Sequence, residues 1–188
     1  AGGRRAASGV AVNIFAVDDD PAKAAQALCD QHVGKMLLES AQLLCNAYDE
    51  PVGELRMQWL VLSPPERAKL GLLPYKRTHY GNRFSVWARA SQANWLWLWR
   101  HAQGLAQEHR YRFDKRHGTE TALEWMLYNG RPTILAKGLT PFAMPEQYRG
   151  PDAVAAYRRY YAAEKMILRG KPVTWTRRER PTWLEVKL

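Results

Sequence analysis

Residues 85–113 constrain the fold more than any other part of the chain. Trp95, Trp97 and Trp99 alternate as residues of a strand would, yet Val86, Ala90, Ala93, Leu96, Trp97, Trp99 and Leu105 recur with helical spacing, and no turn punctuation interrupts them. The spacing predicts one long helix whose indoles face several directions, so neighbours must cover it on more than one side. Trp97, on the stripe, is expected to be structural. Other helix signals surround it. Asp20 followed by Pro21 marks an N-cap and first helical position for a helix over 22–28. A second stretch runs on to about residue 48, with Asp30 or Gly34 as the candidate break. Ser63-Pro64-Pro65 caps a short helix over 66–70, residues 121–128 read as helix, and 152–169 form a last helix ended by Gly170. Residues 12–17 read as a short extended segment, and 130–151 as a loop. The expected architecture is mainly α: a single compact multi-helix domain of five or six helices over 13–188, preceded by a flexible arm or expression remnant over 1–12.

At 188 residues the chain can bury a full core without disulfides. Its charge of +10 is unevenly placed: residues 1–70 carry 7 basic and 9 acidic groups, 71–130 carry 9 and 4, and 131–188 carry 12 and 5. A basic face built from the last two thirds points to a polyanion, with nucleic acid the default partner. Cys29 and Cys45 lie about 24 Å apart along a continuous helix, beyond disulfide reach, and are expected to be reduced and buried. No CxxC or HExxH spacing occurs, and His101, His109 and His117 do not converge along a helix, so no metal is expected. No glycine-rich phosphate cradle occurs either. The apolar run over 10–17 is interrupted by Asn13 and ends in Asp18-Asp19-Asp20, too short and polar for a membrane span. The expectation is a soluble, intracellular (cytoplasmic) protein with no membrane partner.

Within residues 29–44, His32, Lys35 and Glu39 fall at i, i+3 and i+7 on one helical face, with Leu37, Leu38, Leu43 and Leu44 supplying the buried side. A proton carrier, an amine and a carboxylate together suit chemistry at a sugar carbon: the amine attacks, and the acid moves a proton or steadies a cation. The plainer alternative is a solvated face with a Lys–Glu pair in the less favourable order. An ordinary lysine has a pKa near 10.4, so only on the order of one in a thousand is neutral at pH 7. Burial or a cationic neighbour would have to lower it, and Glu39 pulls the other way.

Two further regions carry cations. His79, Asn82 and Arg83 stand just before the long helix, where free amides and the dipole favour an anion such as phosphate; an ordinary capping loop is the alternative. Residues 169–183 mix Arg177, Arg178 and Arg180 with Trp175 and Trp183, a combination that can track phosphates and stack on bases. The alternative is a tail pinned to the core by its two indoles.

Five motifs resemble the pyrimidine-dimer DNA glycosylase superfamily, the endonuclease V type known from phage. They are Asn13-Ile14-Phe15; Leu28-Cys29-Asp30-Gln31-His32-Val33-Gly34-Lys35 with Glu39 and Ala41-Gln42-Leu43-Leu44; the stretch over 79–87; Met144-Pro145-Glu146-Gln147-Tyr148-Arg149-Gly150; and Arg180-Pro181-Thr182-Trp183. The resemblance touches roughly residues 13–44, 79–113 and 142–188. It implies a compact helical fold, double-stranded DNA as substrate, extrusion of a nucleotide, and no cofactor. It also implies a glycosylase/AP lyase in which an amine attacks the sugar C1′ to give a Schiff base, with the helix-borne Glu39 assisting and Arg149 among the DNA contacts. Two departures stand out. His32 occupies a place where related sequences often carry Arg. The family's nucleophile is the α-amine of the mature chain, whereas twelve residues precede Asn13 here, so another start, Lys35 as the amine, or loss of the glycosylase step are all open. The last case would leave a DNA base-modifying transferase or a non-catalytic DNA-binding module.

Overall fold

The computed structural model describes residues 14–130 and 144–184. The expected arm over 1–12, Asn13 and much of the 130–151 loop lie outside the described residues. The protein is mainly α, with eight α-helices among the described residues rather than five or six. The Asp20 carboxylate accepts hydrogen bonds from the amides of Ala22 and Lys23, with Pro21 in the first turn, and opens α1 (Pro21–Ala27). The helix breaks at Leu28 and Cys29, both extended, and α2 (Asp30–Cys45) then runs through Gly34 without interruption. Val33, Met36, Leu37, Ala41, Leu43 and Leu44 are buried, but Leu38 is exposed, so one of the four leucines assigned to the buried side faces out. Ile14 to Val17 are buried without forming a strand, and both cysteines are free and buried.

The long helix is two. It divides at Ser91 into α5 (Arg83–Ala90) and α6 (Gln92–Phe113). Ser91 is extended and its hydroxyl accepts from the Asn94 amide, while the Asn94 side chain donates to the Trp87 carbonyl across the break. A serine that bonds locally offers the chain an alternative to the helical ladder. The buried side is also rotated from the expected stripe: Trp87, Ala88, Trp95, Trp97, Leu98, Ala102 and Leu105 are buried, and Val86 is exposed. Trp97 is structural as expected, its indole donating to the Asp19 carbonyl at 2.8 Å. Helix α6 forms the centre, with α1, α2, α5 and α7 (Glu120–Tyr128) packed on it. At Gly104 a Cβ would lie 2.9 Å from the Ala25 methyl, so α1 and α6 meet where only hydrogen fits.

Helix α3 (Gly53–Val61) was not legible as a helix; only Trp59 is buried on it, so it carries no apolar stripe. Helix α4 (Pro64–Lys69) starts as expected with a Ser63–Glu66 capping box. The last helix, α8 (Ala153–Glu164), stops five residues short of Arg169. A two-residue hairpin replaces that end: β1 (Ile167–Leu168) pairs antiparallel with β2 (Lys171–Pro172). Both turn residues, Arg169 (φ 52°) and Gly170 (φ 75°), are left-handed, as a type I′ turn requires. None of the helices is long and apolar enough to cross a membrane among the described residues.

Candidate functional site

A cleft of about 460 Å³ opens between the first turns of α2 and the hairpin, lined by Gln31, His32, Lys35, Leu168 and Arg169. It contains two of the three residues singled out on α2. Lys35 extends its half-exposed side chain so that Nζ lies 3.5 Å from Oε1 of Glu39, which is almost wholly buried. The amine and carboxylate therefore meet as the spacing implied, beside a concave surface.

His32 sits in a setting unlike the solvated helix face on which a proton carrier was expected. It is buried, and Nδ1 lies 2.7 Å from the Tyr161 hydroxyl. Phe15 covers its ring at a centroid distance of 4.9 Å. Burial, helped by the charges of Lys35 and Lys165, pushes its pKa down to about 3, so the ring is neutral at physiological pH. His32 forms the wall of the cleft and positions it. The Tyr161 hydroxyl also receives the amide N–H of Cys29, which precedes α2. Phe15 and Tyr161 could not be assigned to this site from sequence, because neither lies near His32 in the chain.

Asp30 fastens the hairpin to α2. Its amide donates to the Thr174 carbonyl, and its carboxylate accepts from the Thr174 hydroxyl, the Thr176 amide and hydroxyl, and Arg112. Burial alone would raise that carboxyl, but these bonds outweigh it and hold the pKa below its ordinary value. Arg112 is itself buried and donates to the carbonyls of Gln26 and Leu28 and to Glu108. The cleft wall thus rests on a saturated network rather than on apolar packing alone.

The remaining cations expected at DNA are scattered, and none of them lines the cleft. Arg177 forms a two-pronged pair with Asp114 and donates to the Tyr111 carbonyl. Arg178 makes a two-pronged pair with the buried Glu108. Trp175 is half-buried and donates to the Ala27 carbonyl, and Trp183 packs near Tyr161. The tail is pinned to the core as the alternative reading had it, but Arg177 and Arg178 are paired with carboxylates rather than merely solvated. Arg180 is exposed, near the Met166 sulfur and the Trp175 ring. Asn82 accepts from the Phe84 amide and so caps α5, with His79 (φ 48°) in the preceding turn and Arg83 exposed at the first helical position. Arg149 is exposed and donates to the Met144 carbonyl.

The cations over 169–183 were expected to track phosphates, but the hairpin that carries Arg169 and Lys171, and the place of Arg169 in the cleft lining, were not foreseen. Gly170 was the available signal, since a glycine suits the left-handed second position of a two-residue turn. His109 and His117, not expected to converge, do meet with ring centroids 4.9 Å apart beside Gly34, but no third potential metal ligand joins them among the described residues. No protein-family model, curated protein or solved structure matches the chain.

Proposed function

We propose that this chain is a DNA glycosylase/AP lyase-like enzyme acting on an extruded nucleotide of duplex DNA. The observation that carries the reading is the contact between Lys35 and Glu39 at the edge of a cationic cleft, an amine and a nearly buried carboxylate 3.5 Å apart. Glu39 is the acceptor within reach of the ammonium proton. The freed lone pair forms a bond to C1′ while the C1′–base bond breaks. The base leaves with the electron pair and takes a proton from the Glu39 carboxylic acid. Glu39 then takes one of the two protons left on the amine nitrogen and passes it to O4′ as the C1′–O4′ bond breaks, which opens the sugar ring and leaves a protonated imine. His32, neutral and held by Tyr161, keeps the wall in place.

Borohydride trapping tests the reading, because hydride reduces the imine to a stable secondary amine. Parent protein should yield a covalent adduct with abasic duplex. Lys35→Gln should abolish it, and Glu39→Gln should slow it by a factor of about 10² to 10⁴ with DNA affinity little changed. An adduct lost on acylating the N-terminal amine, and kept by Lys35→Gln, would move the nucleophile to the α-amine. If parent protein forms no adduct and leaves abasic and ultraviolet-damaged duplex uncut, the glycosylase reading falls, and base modification with a small amine donor or binding alone replaces it.

A further inference from the structure

We infer that the hairpin Ile167–Pro172, rather than the arginine-rich tail after it, is the element that grips the DNA backbone at the cleft, through Arg169 and Lys171. The inference rests on the DNA reading above and names the contact surface. Between Glu164 and Glu179 the chain carries five cations and no carboxylate: Lys165, Arg169, Lys171, Arg177 and Arg178. Asp114 and Glu108 neutralise the last two, and Lys165 lies over the Tyr160 ring at 4.9 Å. Arg169 and Lys171 remain, both exposed, and among the described residues neither meets a carboxylate or an aromatic ring.

Their placement is specific. Arg169, at the turn, lines the cleft together with Leu168 and Lys35, and the register sets Lys171 directly opposite Leu168, next to that lining. The base of the hairpin is held: the Val173 amide donates to the Met166 carbonyl, and Asp30 binds Thr174 and Thr176. A pre-ordered loop bearing cations sacrifices little freedom when it meets phosphates. Arg169 also occupies a left-handed position that Asn or Gly would fill with less strain. That choice of residue argues for its guanidinium, which can grip a phosphate with two parallel hydrogen bonds.

The same preference supplies the test. Arg169→Asn creates an Asn-Gly pair, the dipeptide most favoured in such a turn, and so removes the cation while keeping the hairpin. Combined with Lys171→Gln, it should weaken binding to duplex containing an abasic-site analogue at least tenfold at 0.1 M salt. The slope of log K against log salt should shrink by about two, roughly 0.9 for each phosphate that is no longer neutralised. The melting temperature should not fall, and Lys69→Ala, at a different cleft, should change affinity less than twofold. Affinity within twofold of the parent with an unchanged slope would overturn the inference, as would binding by the parent to phosphatidylserine vesicles but not to duplex. Hairpin-dependent binding without any borohydride adduct would leave the grip standing and remove the glycosylase chemistry; an adduct with hairpin-independent binding would do the reverse.

Discussion

The hydroxyl of Tyr161 lies 2.7 Å from Nδ1 of His32 and 3.0 Å from the backbone nitrogen of Cys29. One side chain from α8 therefore satisfies both a ring nitrogen under the cleft and an amide at the start of α2. Tyr161→Phe keeps the ring and leaves both groups buried without that partner. It should destabilise the protein by about 1–3 kcal/mol in urea unfolding, and a variant as stable as the parent would show that the hydroxyl is not structural.

Acid should weaken the fold through its buried imidazoles. The ordinary histidine value is 6.5, and burial pushes His32 down to about 3 and His101, which contacts the Pro21 carbonyl, to about 4. Above pH 6.5 neither the folded nor the unfolded state takes up these protons, and the contribution to stability is complete. As the pH falls below 6.5 the unfolded chain binds protons that the folded one excludes, so stability is lost progressively toward pH 3. The difference in unfolding free energy between parent and His32→Gln should be largest at pH 7.5 and narrow by pH 4.5; a difference independent of pH counts against a buried neutral His32.

Two glycines should respond in opposite directions to the same substitution. A methyl at Gly104 would come within 2.9 Å of the Ala25 methyl and 3.3 Å of the Ala22 Cα, so α1 and α6 must separate. Gly104→Ala should cost about 1–3 kcal/mol despite its gain in helix propensity. At Gly34 the nearest atoms, on His109 and His117, lie at 3.7 Å, an ordinary contact distance. Gly34→Ala should stabilise by about 0.5–1 kcal/mol. Thermal melts of the pair decide the matter, and equal shifts would sink it.

What the sequence revealed and what it hid follow from the range of the interactions. The Asp20-Pro21 start, the Ser63 cap and the helical run from Asp30 to Cys45 rest on residues within a few positions of one another, and the structure has all three. The Lys35–Glu39 contact is equally local. The break at Ser91 was hidden because helical periodicity continues on both sides of it. The burial of His32 depends on Phe15 and Tyr161, and the tying down of Arg178 on Glu108, 70 residues earlier. A polar residue on a helix face looks solvated until its distant cover is known.

Arg178 gives that long-range coupling a measurable form. Glu108 is only 3% exposed and is shared between Arg178 and the buried Arg112. Arg178→Ala should therefore destabilise by about 1–3 kcal/mol. If instead the variant melts like the parent and only DNA affinity drops, Arg178 is a phosphate contact after all.

The anchoring of Asp30 by Thr176, 146 residues later in the chain, gives the cleft a place in time. Helix α2 can form soon after its own residues leave the ribosome, since its hydrogen bonds are local. Its opposite wall cannot exist until the hairpin and Thr176 have been made and have travelled back to α2, closing a loop of 146 residues. The Lys35–Glu39 pair would thus be displayed on a helix well before any cavity surrounds it, and the cleft would close only when that distant segment docks.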